Sequence, residues 1–282
     1  AADHLVLTRS AAGFTSGSDF TVQPIVKVVD VDGNLMVDGI GSDATITASV
    51  SGAATLSGTT AVQATAGVAT FSNLRLTGTA GAYTLVFDVT APSSLNTLTI
   101  NQSANLVAGA AVEIVVTQQT STVQTRATMT PAPTVSLRDA WNNVVVSDSS
   151  STVTVQLLDS TGTAVSTESA PVTASAGVAT FSSIAYQTTP ADGYRLRFKL
   201  GANVATATSS AFTVNPGDAT ELRITTQPST LDAFANRSKT GELLMVQPVV
   251  GLYDQDGNLV TTTSTGAATI AVATGAGAIL TE

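Results

Sequence analysis

Two stretches of this chain are near copies of each other, and that duplication limits the fold more than any other feature. Residues 23–34 read QPIVKVVDVDGN, and residues 247–258 read QPVVGLYDQDGN. A second phrase, AGVATF, stands at 66–71 and again at 176–181, 110 residues apart. The two QP copies lie 224 residues apart, which is two such periods and a few residues. A unit of about 110 residues can close its own core, unlike the roughly 20–45-residue repeats of solenoids, which need neighbours. The chain therefore reads as a tandem array of one kind of domain. The units are 1–107, 108–216 and a partial third, 217–282, which lacks its C-terminal strands.

Within each unit the apolar pattern has period two. Ile46, Ala48 and Val50 alternate with Thr45, Thr47 and Ser49, and Tyr83, Leu85, Phe87 and Val89 point one way. In the second unit Val153, Val155 and Leu157 alternate with Thr152, Thr154 and Gln156. Tyr194, Leu196, Phe198 and Leu200 share a face opposite Arg195, Arg197 and Lys199. One face is thus buried and the other wet, as in antiparallel sandwiches. A slip by one residue would bury three cations, so the 194–200 register is firmly set. In the first unit this predicts strands over 4–8, 20–30, 44–50, 81–89 and 98–102, with Asp32-Gly33-Asn34 as the hairpin turn after 20–30. No segment sustains helical spacing, so the fold class is all-β: tandem antiparallel β-sandwiches. The linkers at 108–110 and 215–218 are short, and the second holds Pro216, which predicts a semi-rigid rod.

Composition excludes several kinds of chemistry. A net charge of −9 and a pI near 4.4 do not suit a nucleic-acid partner, which needs a basic footprint. With no cysteine and one histidine, common zinc sites, Ser-His-Asp triads and Cys-His pairs are excluded or strongly disfavoured. His4 reads as a partly exposed strand residue. No phosphate- or dinucleotide-binding glycine motif stands in a strand-to-helix context. A glycosidase-like carboxylate pair is not legible, because the acids sit mainly at turns and aromatics are only 5% of the chain. The chain is read as non-enzymatic. No apolar run reaches the ~18 residues of a transmembrane helix. The absence of cysteine suits a bacterial export substrate, and Ala1-Ala2 suits a mature terminus left by signal cleavage.

The run V-x-D-x-D-G-N-L-x-V at 28–37, then A-G-V-A-T-F, then A-G-A-Y-T-L at 80–85, resembles bacterial immunoglobulin-like repeats. Such repeats build invasin- and intimin-type proteins, giant surface adhesins and surface layers. The resemblance covers two full copies and one partial copy. The second unit departs from it, with Asp139-Ala140-Trp141-Asn142-Asn143 in place of Asp30-Val31-Asp32-Gly33-Asn34. It implies tandem immunoglobulin-like β-sandwiches that act as stalks, spacers or adhesive modules on a bacterial surface. It also implies calcium between domains in some relatives.

Three groups of residues are candidate sites. Asp30, Asp32 and Asn34, with Asp254, Asp256 and Asn258, offer hard oxygens of the kind calcium prefers, although it needs six to eight. The competing reading is a tight turn in which Gly33 and Gly257 take positive φ. Trp141, the sole tryptophan, either packs on a neighbouring domain or, with Tyr186, forms an aromatic platform for a glycan. Arg195, Arg197 and Lys199, joined by Arg223, either dock an acidic subunit or form a solvated strand face that resists edge pairing.

Cut short, the third unit would leave Val246, Val250, Leu252, Ile270 and Val272 uncovered. Each such side chain is worth about 1.5–3 kcal/mol when buried, so an open face calls for completion. The rest of a longer chain or strands donated in trans, head to tail, would supply it. The expected partners are therefore neighbouring repeats or further copies of the chain, at the cell surface. The alternative function is an extracellular binding module that recognises glycan or host protein through domain-end loops.

Overall fold

The structure, a computed structural model, describes residues 1–201, 205–228, 244 and 246–261. Among these residues it is all-β, with one turn of 3-10 helix at Ser93–Leu95. In the first unit the strands His4–Arg9, Ile25–Val29 and Val68–Thr70 form one antiparallel sheet. Ala61–Gln63, Thr45–Ser51, Gly81–Ala91 and Thr99–Leu106 form the second, in that spatial order. The second unit repeats the first sheet with Glu113–Gln118, Thr134–Arg138 and Val178–Thr180. Its other sheet is built on Thr152–Leu158 and Ala191–Leu200. The third unit has the same opening pair, Glu221–Thr226 against Val249–Tyr253. These are immunoglobulin-like sandwiches in tandem.

The units are equivalent in fine detail. The opening strand bulges between Leu7 and Arg9, between Val116 and Gln118, and between Ile224 and Thr226. At each bulge a threonine hydroxyl donates across the pair: Thr8 to Ile25, Thr117 to Thr134, Thr225 to Val249. Such a bulge bends the strand and sharpens its twist, which turns the first sheet over the core.

The alternation predicted from sequence sets the core. Ile46, Leu85, Phe87 and Val89 are buried in the first unit, and Val153, Val155, Leu157, Leu196 and Phe198 in the second. The phenylalanine ending each AGVATF phrase meets an aromatic ring of the opposite sheet. Phe71 lies 5.5 Å from Phe87 and Phe181 lies 5.2 Å from Phe198, centroid to centroid, both pairs tilted. The Ala-Gly pair in each phrase is a turn with two positive φ angles, 49° and 75° at Ala66-Gly67 and 48° and 75° at Ala176-Gly177. That geometry matches the right-handed twist of the strands it joins. A Cβ on Gly177 would stand 2.6 Å from the Val145 carbonyl oxygen, so close approach requires glycine as well. Val155 faces Phe198 and Gln156 faces Arg197, the register that keeps the cations outside.

Two expectations need correction. The 20–30 strand is only Ile25–Val29, because Pro24 has no N–H to continue the ladder. Phe20 N–H bonds to Leu74 instead, and the Gln23 amide ties Phe20 and Leu74 together. The turn at 30–34 does not join two long strands either. It closes on a single bridge, Val29 to Leu35, and Met36 N–H returns to Val28 before the chain leaves the sheet. In the third unit, Ile270 and Val272 lie outside the described residues.

Candidate functional site

The D-x-x-x-N turns give the chain its recurrent site. In each, the aspartate N–H donates to the asparagine carbonyl and the carboxylate caps the turn from within. Asp139 Oδ1 accepts the N–H groups of Trp141 and Asn143, both at 2.9 Å. Asp254 Oδ1 accepts those of Asp256 and Asn258, both at 2.9 Å. Asp30 Oδ1 accepts those of Asp32 and Asn34, at 3.1 and 2.8 Å. The fourth residue holds positive φ in all three: Gly33 at 81°, Asn142 at 64° and Gly257 at 79°. Asn142 does this in place of glycine because its short polar side chain tolerates the left-handed region.

At Asp139 and Asp254 the second oxygen reaches back to the linker at the start of its own unit. Asp139 Oδ2 accepts the N–H of Gly109 at 2.8 Å, and Asp254 Oδ2 accepts the N–H of Gly217 at 2.8 Å. Both glycines belong to the linkers. Each aspartate is 1% exposed, and each Oδ2 also takes its own asparagine amide at 2.9 Å. Four N–H donors on two buried oxygens make a charge-assisted set that holds the linker to the turn. Burial pushes the Asp254 carboxyl up, but the donors from Asn258, Gly217 and Asp256 outweigh it and lower it to about 2. Asp139 is lowered in the same way against its burial, by Asn143, Gly109 and Trp141.

The tips of the second and third turns then meet the preceding unit. At the first junction the Trp141 ring lies on Gly17: a Cβ built there would stand 2.4 Å from the ring. Asn143 adds two bonds, its amide donating to Gly78 at 2.9 Å and its oxygen accepting the Ala80 N–H at 2.7 Å. At the second junction Asp256 takes the place of Trp141. It accepts from Arg126 Nε at 2.9 and 2.7 Å, from Arg126 Nη2 at 2.5 Å and from Gln187 at 2.8 Å. Arg126 stands where Gly17 stands, with φ of 65° against 83°. Each follows a buried hydroxyl residue, Ser16 or Thr125, whose oxygen accepts a backbone N–H from Gly78 or Thr188.

Calcium must be judged against that geometry. Two lone pairs on each oxygen of Asp254 are taken by four N–H groups, and Asp256 is taken by Arg126 and Gln187. An ion on this set would have to displace those donors. Among the described residues no group of three or more His, Cys, Asp or Glu side chains converges as a metal site. Asp159 makes the same capped turn with Thr161 and Thr163 and touches no linker, so the turn is self-sufficient.

The other sequence candidates do not gather. Trp141 is 38% exposed and faces the first unit, whereas the Tyr186 carbonyl accepts the Arg126 N–H at the opposite end of the second unit. The two therefore build no common platform. Lys199 pairs with Glu168 of the connection after Thr152–Leu158, and Arg197 with Gln156 across their own sheet. Arg223 belongs to the third unit, where it pairs with Glu221 at 2.6 Å and lies 4.7 Å over the Tyr253 ring. Gly109, Gly217, Gly17 and Arg126 were not singled out from sequence. The available signal was that a glycine sits in each linker and that Arg126 aligns with Gly17 once the bulge threonines are superposed.

No helix among the described residues is long and apolar enough to cross a membrane. No protein-family model matches the chain, and no curated protein sequence does. Among solved structures it is similar to invasin, a bacterial integrin-binding protein, at 12% identity and a TM-score of 0.36. That match covers 92% of this chain and 48% of the other. It is similar to domains 4–9 of the surface layer protein SbsC at 14% identity and a TM-score of 0.33, covering 92% of this chain and 37% of that one. A chimeric titin Z1Z2 tandem is a third, at 14% identity and a TM-score of 0.23, covering 76% of this chain and 100% of that one. The chain thus spans about half the invasin chain and just over a third of the SbsC chain that it matches. These are likenesses of fold, to tandem immunoglobulin-like structures from bacteria and elsewhere.

Proposed function

We propose that this chain is a non-enzymatic structural segment of a bacterial cell-surface stalk, fibre or layer, a semi-rigid spacer that positions adhesive contact. One observation carries the reading: both linkers are held by the same bond, linker glycine N–H to a buried turn carboxylate, 2.8 Å in each case. A flexible string would leave these linkers in water. Closing them fixes the angle between successive sandwiches, so each unit adds length with a set direction.

The opening pair of the third unit supports assembly by strand completion. Leu222 is 54% exposed, whereas its counterparts Leu5 and Ile114 are 4% and 3% exposed. Ile224, Val249 and Val250 are exposed beside it. In the first two units the facing sheet covers the positions of Leu222 and Val250, where Leu5 and Ile114, and Val26 and Val135, are buried. Strands from a further copy, added head to tail, would cover them in the third and extend a fibre.

Small-angle scattering tests the spacer reading. The native chain is expected to give one extended, narrow distribution of distances. Asp139→Ala and Asp254→Ala should each broaden and shorten it without loss of strand signal by circular dichroism. If both variants scatter like the native chain, the linkers are not held by these carboxylates and the spacer role falls. Light scattering over a concentration series tests completion in trans, which predicts growing oligomers.

A further inference from the structure

An aspartate followed by glycine can rearrange its own backbone, because the glycine nitrogen reaches the side-chain carbonyl carbon with no Cβ in the way. The chain holds four such pairs: Asp32-Gly33, Asp38-Gly39, Asp192-Gly193 and Asp256-Gly257. The reaction needs a nitrogen that can turn towards the carboxyl and a carboxyl that can turn towards the nitrogen. A group held in a hydrogen bond must give that bond up first.

In the other pairs at least one group is held. Gly33 N–H donates to the Asp30 carbonyl and Gly257 N–H to the Asp254 carbonyl, each at 3.0 Å, which fixes both peptide planes. The Asp256 carboxylate is held by Arg126 and Gln187 as well. Asp192 accepts the Thr213 hydroxyl at 2.5 Å, and Gly193 lies within the strand Ala191–Leu200.

Asp38-Gly39 meets both conditions. It stands in the connection between Ile25–Val29 and Thr45–Ser51, and both residues are exposed. Neither the Asp38 carboxylate nor the Gly39 N–H has a hydrogen-bond partner among the described residues. Gly39 has φ of 69°, and a Cβ built on it would meet nothing within 4 Å, so a ring has room to close. The loop is tied only on the far side of the glycine, whose carbonyl accepts the Ser42 N–H at 3.1 Å and the Ser42 hydroxyl at 2.9 Å. The pair itself is left unheld.

We propose that Asp38 is a site of spontaneous covalent modification, at which the chain passes through a cyclic imide with Gly39 to isoaspartate. The Gly39 nitrogen bonds to the side-chain carbonyl carbon of the neutral Asp38 acid, and the amide proton and the acid hydroxyl leave as water. Water then opens the ring. Cleavage between the nitrogen and the side-chain carbon restores aspartate. Cleavage between the nitrogen and the main-chain carbonyl carbon routes the backbone through the side chain, with one more methylene in the chain and the α-carboxylate released. One water leaves and one is taken up, so the step needs no oxidant or co-reactant.

The test incubates the full chain for weeks at neutral pH, digests it and scores each Asp-Gly peptide for isoaspartate by electron-transfer fragmentation. Asp38 is expected to carry several times the isoaspartate of Asp32, Asp192 or Asp256, with a transient form lighter by one water. Asp38→Glu should remove the signal, since its ring would have to be one atom larger. Asp30→Ala, which uncaps the neighbouring turn, should make Asp32 begin to react. Equal conversion at Asp32 and Asp38 in the native chain would overturn the proposal, because the dipeptide and not its setting would then govern. An Asp38 that stays unchanged in the folded chain, while a free peptide of residues 36–42 converts, would overturn it too.

Discussion

Asp256 in the third unit and Arg126 in the second are bound side by side, with Nε at 2.9 and 2.7 Å from the two oxygens and Nη2 at 2.5 Å from one. At the equivalent place one junction earlier stand Trp141 and Gly17. The two junctions therefore share a backbone lock and differ in the side-chain pair that closes it, aromatic on glycine or carboxylate on guanidinium. Neither half can be exchanged alone: arginine at 17 would collide with the indole, and tryptophan at 256 would strand the guanidinium.

Exchanging the charges at the second junction should be reciprocal. Arg126→Asp places two acids together and is expected to loosen the third unit from the second; Asp256→Arg places two cations together and should do the same. The double exchange should recover most of the fixed orientation, read as a label-to-label distance across residues 215–218 by electron paramagnetic resonance. Single exchanges that leave the distance unchanged would show that Gln187 and the linker bond suffice. The single-variant effects should shrink as salt rises, because the Arg126 side chain is 43% exposed.

Gly17→Ala is expected to expel the indole. The backbone there has φ of 83°, where an alanine costs about 1–2 kcal/mol, and the new methyl would lie 2.4 Å from the ring. Trp141 is the only tryptophan, so the change is directly visible as a red shift and weaker emission in steady-state fluorescence. An unshifted spectrum would mean that the ring does not rest on Gly17.

Acid should open the junctions in a narrow window. Asp254 is lowered to about 2, against about 3.9 for an unfolded aspartate. A folded value below the unfolded one means that the carboxylate contributes its full stabilisation above pH ~4 and loses it as pH falls towards 2. Asp139 is lowered as well, so both locks act in the same direction. Scattering profiles are expected to hold steady from neutral pH down to about 4 and to broaden below it. Opening already at pH 6 would point to a different titrating group.

Chelation should leave thermal melting unchanged, since N–H groups already fill the oxygens of Asp254. A clear fall in melting temperature with a calcium chelator, reversed by added calcium, would instead make Asp254, Asp256 and Asn258 ligands, and the same would apply to Asp30, Asp32 and Asn34.

The units should melt separately when their cores are cut. Phe87 and Phe198 are fully buried, and either change to alanine is expected to cost about 3–5 kcal/mol. Because each ring belongs to a different core, calorimetry of Phe87→Ala should show one transition moved down and the other nearly in place. Two transitions shifted equally would mean that the junctions couple the units into one cooperative body.

The sequence by itself determined the sandwich and its repetition. Alternation at 194–200 admits one register, and Ala66-Gly67 and Ala176-Gly177 dictate their turns, because side-chain burial and backbone angles are properties of neighbouring residues. The capped turns at 30–34 and 254–258 were legible for the same reason. Only the tertiary structure decided where the outer oxygens of Asp139 and Asp254 point and which tip residue meets which partner. Arg126 and Asp256 are 130 residues apart and belong to different units. No local preference records how two such units abut, so neither turn by itself names the linker N–H or the tip partner that it meets.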